Sequence, residues 1–285
     1  MAKKYALIFV PFLLFILKKV LFDTNSTVKK GLHMKNELKF YEKTKDWDFD
    51  MFNIESKCFT NWDLNDILSK VTNKNSRILD LGTGGGEKVI KYFPYVKEIL
   101  ATDFSEAMIN TGIKNLETSG RKDITFKVMD NLNMEVQNNY YDVVVARHTV
   151  TDPKQIFNSL KKDGYLILRG VDKYDCHELK RIFGRGQSYN DPVPISIIDY
   201  ENILEAGFRD VELIPIHELA YFKDKNILYN FLLKVPIIDD FSQDKGEDKP
   251  LKELETDKLD LYISRNTYPQ GIRLVRRYYG IVARK

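Results

Sequence analysis

Asp80, Gly82, Gly84 and Gly86 stand at alternate positions in ILDLGTGGGE (78–87), a spacing that can do chemistry. Glycines let a backbone turn sharply and approach a ligand with no Cβ in the way. The turn follows an apolar run and opens a helical stretch whose first amides can point at a polar group. A dinucleotide fingerprint G-x-G-x-x-G would need its third glycine at position 87, which is Glu87. The acid two residues before Gly82 suits a cationic group such as an amino acid's ammonium and is a poor neighbour for a pyrophosphate. A second apolar run ends in Asp103, whose carboxylate can accept hydrogen bonds from both hydroxyls of a ribose. A third ends in Asp130 and Asn131, placed to meet an exocyclic amine and a ring nitrogen of adenine. Ligands of open α/β sheets sit outside the carboxyl ends of the strands, so these side chains converge.

The elements that must position them follow from the apolar pattern. RILDL (77–81), EILATD (98–103), ITFKVMD (124–130), YDVVVAR (141–147) and GYLILRG (164–170) are short apolar runs with room for one helix between successive runs. Strand alternating with helix predicts a parallel, doubly wound sheet. Further on, 174–183 reads as helical, and 196–207 is a helix with Gly207 at its C′ position. DVELIPIHELAYF (210–222) is a sixth strand, NILYNFLLK (226–234) a helix, 239–250 a charged loop, and GIRLVRRYYGIVARK (271–285) a last strand. Residues 35–73 read as helix and loop, with Asn61 as the helix cap and Trp62, Leu64, Ile67, Leu68 and Val71 in helical period. His177 and His217 fall in a helix and a strand and read as structural. Arg273, Arg276 and Arg277 read as solvated strand residues.

At these residues the chain resembles the class I S-adenosylmethionine (SAM) dependent methyltransferases. ILDLGTGGGE resembles the family's first motif, ATDFSEAMI (101–109) the second and VMDNLNM (128–134) the third. His148 to Pro153 followed by IFNSLKKDGYLIL (156–168) resembles the H-x-x-x-D-P…L-K-P-G-G-x-L pattern of quinone-biosynthesis and related small-molecule methyltransferases, with Lys162-Asp163-Gly164 in the turn. EAGFRDVELI (205–214) resembles the entry to the sixth strand. The resemblance implies an α/β fold: a doubly wound, Rossmann-like, mostly parallel seven-stranded sheet whose antiparallel last strand lies between the fifth and sixth. It also implies that Asp80, Gly82, Thr83, Gly84 and Gly86 hold the methionine part of SAM, that Asp103 takes the ribose with Phe104 against the adenine, and that Asp130 and Asn131 read the adenine edge. Arg147 or His148 would face the methyl group, with His148 as candidate base.

The implied reaction moves a methyl group from SAM to a small-molecule acceptor and leaves S-adenosylhomocysteine, with no metal. Trp47, Phe49 and Tyr221 are candidate substrate contacts, within a lid formed by 35–76 and an insertion at 223–268. The alternatives are a tRNA or rRNA methyltransferase and a non-catalytic SAM-binding protein. No Asn-Pro-Pro-Tyr tract follows the fourth strand, where Arg147-His148-Thr149-Val150 stands, which argues against amino methylation of DNA bases or glutamine. No Pro-Cys pair stands there for a covalent cytosine mechanism.

Composition narrows the partners. Residues 1–33 hold six lysines and one aspartate; residues 34–285 carry a net charge of −2, so the body lacks the basic footprint of a nucleic-acid binder. Two cysteines, Cys58 and Cys176, exclude a disulfide scaffold and a four-thiolate zinc site and point to a reduced, cytoplasmic setting. Tyr5 to Leu17 is an apolar run flanked by lysine pairs, shorter than the roughly 20 residues of a spanning helix. Three readings stay open for 1–33: a membrane-surface anchor through residues 1–22, an upstream extension before a start at Met34, or a signal peptide. The oligomeric state is not legible.

Overall fold

Apolar runs become the buried centre of a sheet. Strands β2 (Arg77–Leu81), β3 (Glu98–Asp103), β4 (Ile124–Val128), β5 (Tyr141–Arg147) and β6 (Leu160–Val171) pair in parallel. This is a computed structural model, and the residues it describes are 52–239, 241 and 253–285. The long strands β7 (Arg209–Phe222) and β9 (Gly271–Arg284) complete the sheet, with β9 antiparallel to both β6 and β7 and lying between them. The order β7-β9-β6-β5-β2-β3-β4 is the expected seven-stranded arrangement. Two short strands extend it: β1 (Glu55–Cys58) adds to the edge of β7, and β8 (Thr267–Tyr268) pairs with the start of β9. All four residues of β1 are exposed, so main-chain pairing rather than burial holds it, and an apolar pattern gives no sign of it.

Strand alternation sends side chains to two faces. On one face Ile78, Ile99, Val143, Val145 and Ile167 pack against α1 (Leu64–Val71) and α2 (Glu87–Tyr92) through Leu64, Leu68 and Val89, with Leu116 of α3 (Glu106–Ser119) alongside. On the other, Leu79, Leu81, Val144 and Ala146 pack against α4 (Pro153–Ser159) and α6 (Ile195–Glu205) through Ile156 and Ile203. A separate cluster joins Ala220, Phe222, Ile272 and Leu274 to α5 (His177–Phe183), α7 (Lys225–Lys234) and α8 (Glu253–Asn266). Leu274 shares strand parity with Tyr278 and Gly280, and Trp62 of the α1 side lies on Gly280, so this third cluster occupies the same face as α1. Between the two clusters that face carries polar side chains.

Local chemistry sets the helix starts. Asp63, not Asn61, caps α1: its carboxylate accepts from the amides of Asn65 and Asp66, and Trp62 stands outside the helix. Asp152 caps α4 in the same way with Pro153 at its first position. The helix at 174–183 is shortened to His177–Phe183 because Cys176 adopts a left-handed conformation. The helix α8 was not expected from the sequence; its described buried side chains include Leu259 and Tyr262 in an otherwise charged stretch.

Candidate active site

The polar row lies along the carboxyl ends of the strands. Asp80 is opposite Val145, Arg147 is opposite Arg169, and Arg169 is opposite Gly280, so Asp80, Arg147, Arg169, Tyr278 and Arg276 share one face on neighbouring strands. Phe93 and Phe231 flank it from the two clusters, with the Arg147 guanidinium 5.2 Å from the Phe93 ring and the Arg276 guanidinium 5.5 Å from the Phe231 ring.

Asp80 is wholly buried, and its Oδ2 accepts a hydrogen bond from Arg147 Nη2 at 2.9 Å. Burial raises its pKa, and the positive charge of Arg147 opposes that rise. Its Oδ1 is buried with no hydrogen bond of normal geometry, and the buried Thr83 hydroxyl, likewise unpaired by geometry, is the neighbour that helps Arg147 oppose the rise. The turn that follows runs through left-handed Gly82, Gly84 and Gly86. At Gly82 a Cβ would stand 2.7 Å from Thr149 Cβ, and at Gly86 2.5 Å from Phe126 Cζ, so glycine is required on two counts at both. Asp103 braces the turn: Oδ2 accepts from the Gly84 amide at 2.9 Å and Oδ1 from the Ser105 amide at 2.9 Å. Burial raises the Asp103 pKa against these two amides. Phe104, next along, is 47% exposed.

Asn131 is buried and donates from Nδ2 to Thr149 Oγ1 at 2.9 Å, which leaves its Oδ1 without a partner. Gln155 of α4 fixes the loop around it, donating to the Leu132 carbonyl and accepting from the Met134 amide. Asp130 is half-buried and accepts from the Leu132 amide.

His148 has φ +52° and donates its amide to the Arg169 carbonyl at 2.8 Å. Its ring meets that of Tyr278 edge-on at 5.7 Å. The surrounding protein, and then the charges of Arg169, Arg147 and Arg276, push its pKa below the ordinary histidine range. The residue is exposed, so solvent moderates the shift, but the direction leaves the imidazole neutral at pH 7. The Arg169 guanidinium lies 4.5 Å from the centre of the Tyr278 ring and that of Arg276 5.0 Å from it. Arg276 Nε donates to buried Asp175 at 3.0 Å.

Comparison with known proteins fixes the family. A family model described as a methyltransferase domain matches residues 72–229, more than half of the chain. The chain belongs to this family. It is a class I methyltransferase. A curated relative, an uncharacterized methyltransferase YcgJ of Bacillus subtilis (strain 168), is 25% identical over 105 residues, 34% of this chain. That match spans only 41% of the relative's length. The crystal structure of Bacillus subtilis YcgJ superposes with a TM-score of 0.53 at 15% identity, covering 78% of this chain and 97% of that one. A candidate methyltransferase from Bacillus halodurans C-125 gives 0.51 at 18%, covering 78% and 98%. Both show a shared fold.

Within this methyltransferase, Asp80, Thr83, Asp103, Phe104, Asp130, Asn131, Arg147 and His148 all come to the carboxyl edge of the sheet. Arg147 is bound to Asp80 there. Tyr221 does not join them: it is opposite Arg273 and so points to the face away from Asp80. Trp47 and Phe49, the region 1–51 and nearly all of the 239–250 loop lie outside the described residues. Phe52 is buried against Phe231, 5.9 Å between ring centres, as a packing residue. Arg276, expected to be solvated, is half-buried and paired with Asp175. Arg169 and Tyr278 were not singled out from the sequence; the signal was their parity with Gly280, which the pairing of β6 and β9 reveals. Among the described residues no group of three or more His, Cys, Asp or Glu could hold a metal, and no helix is long and apolar enough to cross a membrane.

Proposed function

We propose that this chain transfers the methyl group of SAM to a small-molecule acceptor seated over Arg147, His148 and Tyr278. The observation that carries the reading is a pair of buried acceptors without a well-formed hydrogen bond, Asp80 Oδ1 (beside the Thr83 hydroxyl) and Asn131 Oδ1, at the edge that carries the glycine turn braced by Asp103. A buried polar atom left unpaired is costly, so such atoms call for a ligand's donors. Asp80 Oδ1 suits an ammonium and Asn131 Oδ1 an adenine amine. Each Asp103 oxygen keeps a lone pair for a ribose hydroxyl, and the exposed ring of Phe104 can lie against the base. These residues fit SAM, which supplies an already activated methyl group.

With the donor activated, the chain's task is to hold acceptor and methyl carbon in line, and positioning of that kind can lower a barrier by on the order of 7–11 kcal/mol. A general base adds about 10²–10⁴-fold. Neutral His148 can take a proton from a hydroxyl or an acidic carbon and is dispensable for a neutral amine. The cluster of α5, α7 and α8 beside the polar row, and the −2 charge of residues 34–285, favour a small acceptor over RNA. Incubation with radiolabelled SAM and fractionated extract tests this. Label in the small-molecule fraction is expected; label in RNA alone refutes the acceptor class. Full turnover in His148→Asn would remove its role as base.

A further inference from the structure

Three guanidiniums crowd the Tyr278 ring or its immediate neighbours, and two have a carboxylate. Arg147 has Asp80 and Arg276 has Asp175. Arg169 has none among the described residues: its side chain makes no ion pair or hydrogen bond with them, and its Nε is buried without a partner. Of the other acids on this face, Asp103 is held by the Gly84 and Ser105 amides, and Glu218, opposite Arg276 in the β7–β9 ladder, forms no ion pair among the described residues. Neutral His148 brings no negative charge. Among the described residues, Arg169 is therefore the guanidinium of the row that no carboxylate contacts.

Arg169 is also held in place. Its guanidinium lies 4.5 Å from the centre of the Tyr278 ring, which Arg276 at 5.0 Å and the His148 ring at 5.7 Å also contact. The Tyr278 hydroxyl makes no hydrogen bond with the described residues, and burial raises its pKa, so it remains a donor. A planar guanidinium with a free fork, backed by a hydroxyl donor, is the geometry that grips an oxyanion on two oxygens. Arg169 lies directly opposite Arg147 and accepts the His148 amide, one strand from where the methyl group would be delivered.

We propose that the acceptor carries an oxyanion, a carboxylate or a phosphate, and that Arg169 with Tyr278 binds it and so selects the substrate. This deepens, and rests on, the methyltransferase reading of the same site. The chemistry shared by the two anions is a pair of adjacent oxygens bearing negative charge; the acceptor's remaining atoms would reach toward His148.

The test separates cofactor binding from anion binding. S-adenosylhomocysteine is first titrated into the protein by calorimetry; the loaded protein is then titrated with inorganic phosphate and, separately, with benzoate at matched ionic strength. One or both anions should bind, phosphate alone indicating a phosphorylated acceptor and benzoate alone a carboxylic acid. Arg169→Gln should weaken that anion at least about ten-fold, Arg169→Lys should restore part of it, and neither should change the affinity for S-adenosylhomocysteine. If Arg169→Gln lacks a cooperative melting transition, Tyr278→Phe serves, with an expected loss of about two- to five-fold. Binding of S-adenosylhomocysteine with no binding of either anion, or anion affinity unchanged in the variants, overturns the proposal alone. No binding of S-adenosylhomocysteine overturns the methyltransferase reading and the proposal with it.

Discussion

Replacing Arg147 with leucine leaves Asp80 as a carboxylate with no exposed surface and no counter-charge. At 2.9 Å and an effective dielectric of about 20, the gross attraction in the pair is roughly 6 kcal/mol. The net loss is smaller, because Arg147 no longer pays its own desolvation; removing one partner of a buried pair typically costs about 3–5 kcal/mol. For a domain of this size that lowers Tm by roughly 6–20 °C. The deficit should depend on pH. Burial already raises the Asp80 pKa, so the folded state holds this proton more tightly than the unfolded one, and ionising Asp80 costs stability as the pH climbs from about 4. Without Arg147 that pKa rises further, so the variant should recover toward wild type between pH 7 and pH 5. Asp80→Asn combined with Arg147→Leu should be more stable than Arg147→Leu alone. S-adenosylhomocysteine, whose ammonium can replace the lost charge, should raise the variant's Tm more than the wild type's. Thermal melts at pH 5 and pH 7 decide the matter. A loss below about 1 kcal/mol, or a double variant no better than the single, would refute the reasoning.

Three further outcomes are expected. Asp103→Ala removes the acceptor of the Gly84 and Ser105 amides together with the ribose partner, and calorimetry should show affinity for S-adenosylhomocysteine falling at least about ten-fold. Gly86→Ala forces a side chain into φ +78° and against the Phe126 ring, for a loss of about 1–3 kcal/mol in chemical denaturation that Phe126→Leu should partly relieve. Arg121→Met removes a buried guanidinium that donates to the Phe93 and Pro94 carbonyls and pairs with Asp123, costing about 3 kcal/mol at neutral pH. Burial would raise the Asp123 pKa, but hydrogen bonding, chiefly from Arg121, holds it below the usual carboxylate value. Its contribution is therefore full above about pH 4 and lost as the pH falls below that, so the variant's deficit should shrink in acid.

The parallel strands were legible because each is a short apolar run, the inner ones buried on both faces, and the acids at their tips stand out against that background. What escaped was long-range pairing. Asp80 announced itself, but its partner Arg147 lies 67 residues on, and only the register of β2 against β5 brings them together. Tyr221 sits in a strand where residues on both faces look apolar, so its direction depended on pairing with β9. Arg276 looked solvated because charge in a sequence suggests exposure; Asp175, which accounts for its burial, lies 101 residues away. The exposed β1 and the charged α8 carry little periodic signal because ladder bonds and a few large side chains hold them.

The antiparallel strand β9 has a consequence for how the molecule is made. Its partners β6 and β7 do not touch each other in the sheet, so until residues 271–284 are synthesised and threaded in, β6 presents an unprotected margin. Such a margin is a template for intermolecular pairing, and closing it requires a loop of more than a hundred residues, a slow step. Nascent or truncated forms that lack β9 should therefore be the species that chaperones meet and that clump at high expression.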